Sequence, residues 1–186
     1  MSLRLIIPPA SLAVSMAAAR TAARADVGEG GTSPLDGEIE SAIRVYTAEA
    51  EGETRRAIME QTWRLTLDRF GGAIELRKPP LLQVDHIRFY DVDGVQRTLD
   101  PRDYLVDAES EPGYVLPAPG HVWPPTQNRV NAVEVQYRCG YRVDPGAVPF
   151  EITGFVLARV GEHFQSGGQP KNELVKRLLW PLVVHG

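Results

Sequence analysis

The sequence predicts an α+β protein: an N-terminal helix pair, a central antiparallel β-sheet or sandwich of about six short strands, then a C-terminal helix and an apolar tail. Three observations carry this. Apolar residues recur every three or four positions from Leu35 to Ala50 and again from Ile152 to Phe164, the spacing of a helix buried on one side. Between those stretches the period falls to two, with Trp63, Leu65 and Leu67 alternating against Thr62, Arg64 and Thr66, and Val133, Val135 and Tyr137 against Glu134, Gln136 and Arg138. At the centre, Val84, Ile87, Phe89 and Tyr90 run into Asp93-Gly94, a positive-φ turn that folds Val95 to Leu99 back as a hairpin partner.

Taken in order, Leu3 to Pro9 is an extended arm, because Pro8-Pro9 excludes helix and biases its neighbours towards β or polyproline geometry. Ser15 caps an alanine-rich helix, Met16 to Arg24, which ends near Val27-Gly28. Ser33 caps a second helix with Pro34 at its first position and Asp36 and Glu38 in its first turn. Leu35, Ile39, Ala42, Ile43, Tyr46 and Ala50 form its buried stripe, and Glu40, Arg44, Glu51 and Glu53 its wet face, read first as solvated and second as a docking face for another copy. Gly71-Gly72 turns the chain from the strand at 62–67 into a short strand at 74–76. A three-residue step from Val84 to Ile87 predicts a bulge near Asp85-His86. Tyr104 to Val106, Tyr114 to Leu116 and Val133 to Tyr137 complete the sheet.

After Asp144-Pro145-Gly146, Pro149 starts a helix whose buried face is Ile152, Phe155, Val156, Val160, His163 and Phe164. Gly154 and Gly161 lie seven apart on one side, and such glycines predict close approach of another backbone. Ser166-Gly167-Gly168 breaks the helix, and Asn172 caps a last short one, Glu173 to Trp180, stopped by Pro181. Leu174, Val175, Leu178, Leu179, Trp180, Leu182, Val183 and Val184 exceed what a short terminal helix hides on itself. Such a tail either folds over its own sheet or enters a partner, and the glycine break before it favours the partner. The expected segments are 1–58 for the arm and helices, 59–144 for the β region, 145–168 for the C-terminal helix and 169–186 for the tail, together one folded unit.

Composition narrows the function classes. A formal charge of −4 argues against a phosphate-gripping protein, and the single cysteine, Cys139, leaves no internal disulfide, thiolate cluster or CxxC pair. The opening MSLRLIIPPASLAVSMAAARTAARA imitates a secretion signal, but Pro8-Pro9, Arg20 and Arg24 interrupt it, and no later run reaches membrane-spanning length, so the expectation is a soluble, unprocessed protein of cytosolic origin with no membrane partner. Asp91, Asp93, Asp100, Asp103 and Asp107 lack the ligand spacing of a calcium loop and read as turn residues. The four histidines show no metal-binding spacing, the serines no nucleophile elbow and the glycines no phosphate loop, so no catalytic, metal or cofactor site is expected. Cys139 reads as a small buried thiol, with Arg138 beside it keeping a reactive one in view. Trp123, in HVWPP, reads as cover for the sheet edge; the competing function is a binding module that recognises a carbohydrate or surface ligand through this loop.

Several stretches in this order resemble the head-to-tail connector, or head-completion adaptor, proteins of long-tailed bacteriophages and gene-transfer agents: LIIPP at 5–9, QTWRLTLDRF at 61–70, LRKPPLLQVDHIRFYDVDG at 76–94, YLVD at 104–107, EPG before a proline and tryptophan loop, NAVEVQYRCGY at 131–141, Val148-Pro149 and RLLWP at 177–181. The resemblance covers nearly the whole chain and implies a structural, non-enzymatic role at the head–tail interface of a virion, for a protein made in the host cytoplasm. It implies a homo-oligomeric ring, by portal symmetry a dodecamer, that binds the portal protein, receives the stopper or tail-completion protein and extends a channel through which DNA passes without specific binding. It also implies portal docking by Leu174, Arg177, Leu178, Leu179, Trp180, Pro181, Leu182, Val183 and Val184, and subunit packing by Gly154, Arg159, Gly161, Arg20, Arg24 and Arg44.

Overall fold

A computed structural model describes residues 1–142, 147–165 and 172–184. The chain forms two compact units, one from Met1–Pro9 with Glu60–Gly140 and one from Ala10–Met59 with Tyr141–His185. The architecture is α+β, with the α-helices of the described residues in the second unit and the sheets in the first.

The first unit holds β1 (Ser2–Ile7), β2 (Gln61–Leu67), β3 (Ile74–Leu76), β4 (Leu81–Tyr90), β5 (Gln96–Thr98), β6 (Tyr104–Asp107), β7 (Gly113–Pro117) and β8 (Val133–Cys139). They make two antiparallel sheets, of order β1-β2-β8-β4-β5 and β3-β7-β6, so the described residues hold eight strands where about six were expected. The N-terminal arm accounts for one of the added strands. Grouped by chain order with the helices, it instead pairs antiparallel with β2, Leu3 opposite Leu65, because an extended segment with free backbone groups is satisfied by a sheet edge.

The cleanest alternation in the sequence, β8, lies at the centre of the larger sheet. Val133, Val135, Tyr137 and Cys139 are all buried, and β8 pairs with β2 on one side and β4 on the other. The bulge expected near Asp85 falls between Val84 and His86, with a second between Leu81 and Gln83. The hairpin also forms as read: Gly94 takes φ +79° and its N–H donates to the Asp91 carbonyl at 2.9 Å. The two sheets approach at Gly113, where a Cβ would fall 2.7 Å from Leu81 Cδ2. The buried Tyr137 hydroxyl donates to the Arg77 carbonyl at 2.8 Å, and burial pushes that phenol well above the usual tyrosine range.

The second unit packs α1 (Met16–Ala23), α2 (Asp36–Thr54) and α3 (Phe150–Gln165) around Ile39, Ile43, Tyr46, Ile152, Phe155, Val156 and Val160. Ser15 Oγ accepts the Ala18 N–H at 3.2 Å, the cap the sequence predicts. The helix stops earlier than Val27, since Arg24 turns left-handed at φ 53°. Helix α2 begins at Asp36 rather than Pro34. Asp36 accepts the Ser33 N–H at 3.0 Å, which holds Ser33 to Leu35 in a turn ahead of the helix. Its predicted stripe is buried except for Leu35, at the exposed start. On α3 the sequence places His163 and Phe164 in the core. Both are half-buried, and Arg159 is buried instead. The expected turn at 144–146 and helix break at 166–168 lie outside the described residues.

Candidate functional site

The C-terminal segment is the feature with the most unusual distribution of apolar surface. Asn172 Oδ1 accepts the Leu174 N–H at 3.0 Å, the expected cap, but Glu173–Leu182 is a 3-10 helix that continues through Pro181. Three residues per turn stack every third side chain into a row. Lys176, Leu179 and Leu182 form the inward row, with Leu179 fully buried among the helices. Leu174, Arg177 and Trp180 form an outward row, with the Arg177 guanidinium 5.5 Å from the Trp180 ring centre. Leu178 and Pro181 lie exposed beside it, and Val175, Val183 and Val184 are half-buried.

The segment packs on its own helices and leaves Leu174 60% and Trp180 66% exposed. Beside the apolar contacts of Leu179, Val175 and Leu182, polar groups fasten the seat. Arg159 Nη1 donates to the Asn172 carbonyl at 3.2 Å, Arg56 Nε donates to the Leu182 carbonyl at 2.7 Å, and the Val184 N–H donates to the Thr54 carbonyl at 3.0 Å. Lys176 Nζ lies 3.1 Å from Glu53 and 3.8 Å from Glu49. Its hydrogen bond to Glu53, followed by the charges of Glu53, Glu173 and Glu49, holds the ammonium above its ordinary pKa.

The residues assigned to subunit packing have separate fates. Arg20 makes a bidentate pair with Asp36, both contacts 2.7 Å, tying α1 to the start of α2. Arg24 is the exposed left-handed cap of α1, and Arg44 pairs with Glu40 on the exposed face of α2. Arg159 is 2% exposed, with Glu162 at 3.0 Å and Glu49 at 3.4 Å, while its Nε has no hydrogen-bond partner. The close backbone approach expected on α3 occurs at Gly161 only, where a Cβ would lie 3.1 Å from the Ala22 carbonyl oxygen of α1. At Gly154 the nearest atom is Leu178 Cδ1, 4.0 Å away.

A groove of 1080 Å³ in the helical unit is lined by Leu12, Val14, Met16, Met59, Val148, Phe150 and Leu157, with Arg142 and Glu151 as its charged lining. Sequence reading missed it, since its residues come from three separated stretches whose meeting is a tertiary fact. The exposed Phe150, directly after Val148-Pro149, was the one local sign.

Elsewhere the chemistry-bearing residues serve structure. The Asp91 carboxylate accepts the N–H groups of Asp93 and Val95 and the Arg97 guanidinium, and the Arg97 bond, then that of Val95, holds its carboxyl below the usual range. The indole of Trp123 stacks on Phe70 at 4.8 Å and donates to the Gly72 carbonyl at 2.8 Å, which spends its ring face on the protein and weighs against a ligand platform. Cys139 is fully buried. Among the described residues no cluster of three metal-ligating side chains occurs, and no helix is long and apolar enough to cross a membrane.

No family model matches the chain, and no curated protein is similar to it. Solved structures are. Over 100% of this chain and 97% of the other, it matches a chain in the neck of an empty GTA particle computed with C6 symmetry, at 20% identity and TM-score 0.80. With the same coverage and identity it matches a chain in the virion of a native gene transfer agent particle, at TM-score 0.79. A chain in the neck of a native GTA particle computed with C12 symmetry matches at 21% identity and TM-score 0.71. At these identities the likeness is one of fold.

Proposed function

We propose that this chain is a ring-forming structural subunit of the neck of a phage-like particle, an adaptor that joins the portal of the head to the stopper and tail and extends the DNA channel. The observation that carries the reading is the end-to-end match of fold, helices and both sheets included, to chains of gene transfer agent particles, two of them in necks treated with cyclic symmetry. Cyclic assemblies are built from one interface repeated head to tail, which needs two different patches on each copy. The acidic net charge of −4 fits a channel wall over which DNA slides.

In this reading the outward row of Leu174, Arg177 and Trp180, with Leu178 and Pro181, faces the portal. Deleting the tail is a poor test, because it uncovers the core pocket that Leu179 fills. Leu174→Glu and Trp180→Glu change exposed positions and leave that contact intact. Each variant is expected to fold as the parent does and to lose co-sedimentation with portal-bearing heads; a double variant that still co-sediments as the parent does removes the tail from the interface. Electron micrographs of the protein with portal, showing no ring, would overturn the adaptor reading itself.

A further inference from the structure

We infer that neighbouring copies of this chain join by strand pairing, β1 of one copy adding to the free edge of β6 in the next, so that the larger sheet of each copy continues into the smaller sheet of its neighbour. The two sheets end in four outer strands, β1, β5, β3 and β6. Folded proteins guard such edges by shortness, charge or proline. Strand β5 is only Gln96-Arg97-Thr98, and β3 is three residues with Glu75 at its centre and Arg77-Lys78-Pro79-Pro80 after it. The other two lack that guard. In β1, Leu5 and Ile7 are exposed and Arg4 is the only charge. In β6, Leu105 and Val106 are exposed, Leu105 lies opposite the exposed Leu116 of β7, and Asp107 at the end is the only charge. Among the described residues β1 pairs with β2 alone and β6 with β7 alone.

Charge decides which edge meets which. Arg4 lies opposite Arg64 of β2, and like charges so placed disfavour each other. Arg64 is answered by Glu134 at 3.3 Å, whereas Arg4 has no ion pair among the described residues. Around β6 stand Asp100, Asp103, Asp107, Glu109 and Glu111, with Arg102 as the one cation from 100 to 111. Pairing β1 with β1, or β6 with β6, brings like charges together; pairing β1 with β6 brings opposite ones. An antiparallel pairing with Arg4 opposite Asp107 sets Leu5 opposite Val106 and carries Ile6 and Ile7 to Leu105 and Tyr104. The register irregularity of β1 falls between Leu5 and Ile7, beyond the charged pair. A second copy is the occupant because one chain carries both edges, and two different edges are what a head-to-tail interface uses. That the copies close into a ring rests on the adaptor reading; the pairing itself does not.

Disulfide trapping in the full chain tests it. Leu5→Cys and Val106→Cys each change an exposed position, and the native Cys139 is fully buried. Residues opposite each other in an antiparallel pair lie within reach of a disulfide. With an added oxidant, a mixture of the two single variants is expected to give a covalent dimer and nothing larger, each variant alone to stay monomeric on a denaturing gel, and the chain carrying both changes to give a ladder. Arg4→Glu in the Leu5→Cys chain should lower the yield of mixed dimer by about fivefold. Absence of the mixed dimer, whether the copies remain apart or associate elsewhere, overturns the pairing, as does a single variant that links to itself as readily. Should either cysteine variant not fold, hydrogen exchange of the unaltered chain decides: β1 and β6 are expected to gain protection together as concentration rises, and a gain in neither overturns the pairing. A mixed dimer from a protein that never joins portal keeps this inference and removes the adaptor reading; portal-bound rings without it do the reverse.

Discussion

Replacing either glycine of α3 by alanine is the same chemical change with opposite expected outcomes. Alanine in a helix interior is favoured over glycine by about 1 kcal/mol. At Gly154 the new Cβ meets only Leu178 Cδ1 at 4.0 Å, an ordinary contact with the end of a side chain, so nearly all of that gain is kept. At Gly161 the Cβ lies 3.1 Å from the Ala22 carbonyl oxygen and 3.8 Å from the Ala22 carbonyl carbon. Those are backbone atoms of α1, so a whole helix must shift by a few tenths of an ångström. Overpacking of this kind costs about 1–3 kcal/mol, which leaves Gly161→Ala between neutral and about 2 kcal/mol destabilised. Gly161→Val adds two methyl groups and loses helix propensity, and its sign is unambiguous. The expected order of stability is Gly154→Ala, parent, Gly161→Ala, Gly161→Val. Urea unfolding followed by circular dichroism at 222 nm measures it, because every α-helix belongs to one unit. Equal stabilisation by the two alanines would show that α1 and α3 are not packed at this separation.

Other outcomes follow from the polar contacts. Tyr137→Phe leaves the Arg77 carbonyl unpaired and is expected to cost about 1 kcal/mol at neutral pH. Because burial raises the Tyr137 pKa, the folded state holds its proton where the unfolded chain releases it, so stability falls as pH rises beyond about 10; a parent and Tyr137→Phe with identical alkaline unfolding profiles would refute this. Asp36 and Asp91 show the opposite sign. Their folded pKa values are lowered, chiefly by Arg20 and Arg97, so their stabilisation is complete above about pH 4 and lost as pH falls through the depressed values. Carboxyl titration by NMR should place both below the usual aspartate range, and Asp91→Asn should flatten the acid limb of the unfolding profile.

What was legible in the sequence was local. The Ser15 cap, the stripe on α2, the Asp93-Gly94 turn and the bulge at Asp85 are each set by a few adjacent residues, and each is where the spacing puts it. The missing information is about partners. Nothing near Ser2 says that it will lie opposite Thr66, and nothing in the alternation of β8 says which two strands flank it. The tail shows both cases: its apolar content and the Asn172 cap are readable, but the choice of Leu179 over Trp180 for the core depends on a three-residue period that tertiary contacts impose. Likewise Arg159 sits among apolar neighbours on α3 and becomes a buried ion only when Glu49 arrives from α2.

The central place of β8 also sets the order in which the chain can be finished during synthesis. Strand β1 is made before the other strands, and β2, its partner among the described residues, follows after α1 and α2. The edge pair then waits, since β2 and β4 are joined only through β8. Closure of the larger sheet thus comes after every other strand has emerged, and the helical unit must wait longer still for α3. A nascent chain of this design exposes unpaired strand edges for most of its synthesis, when it is most open to mispairing with other copies.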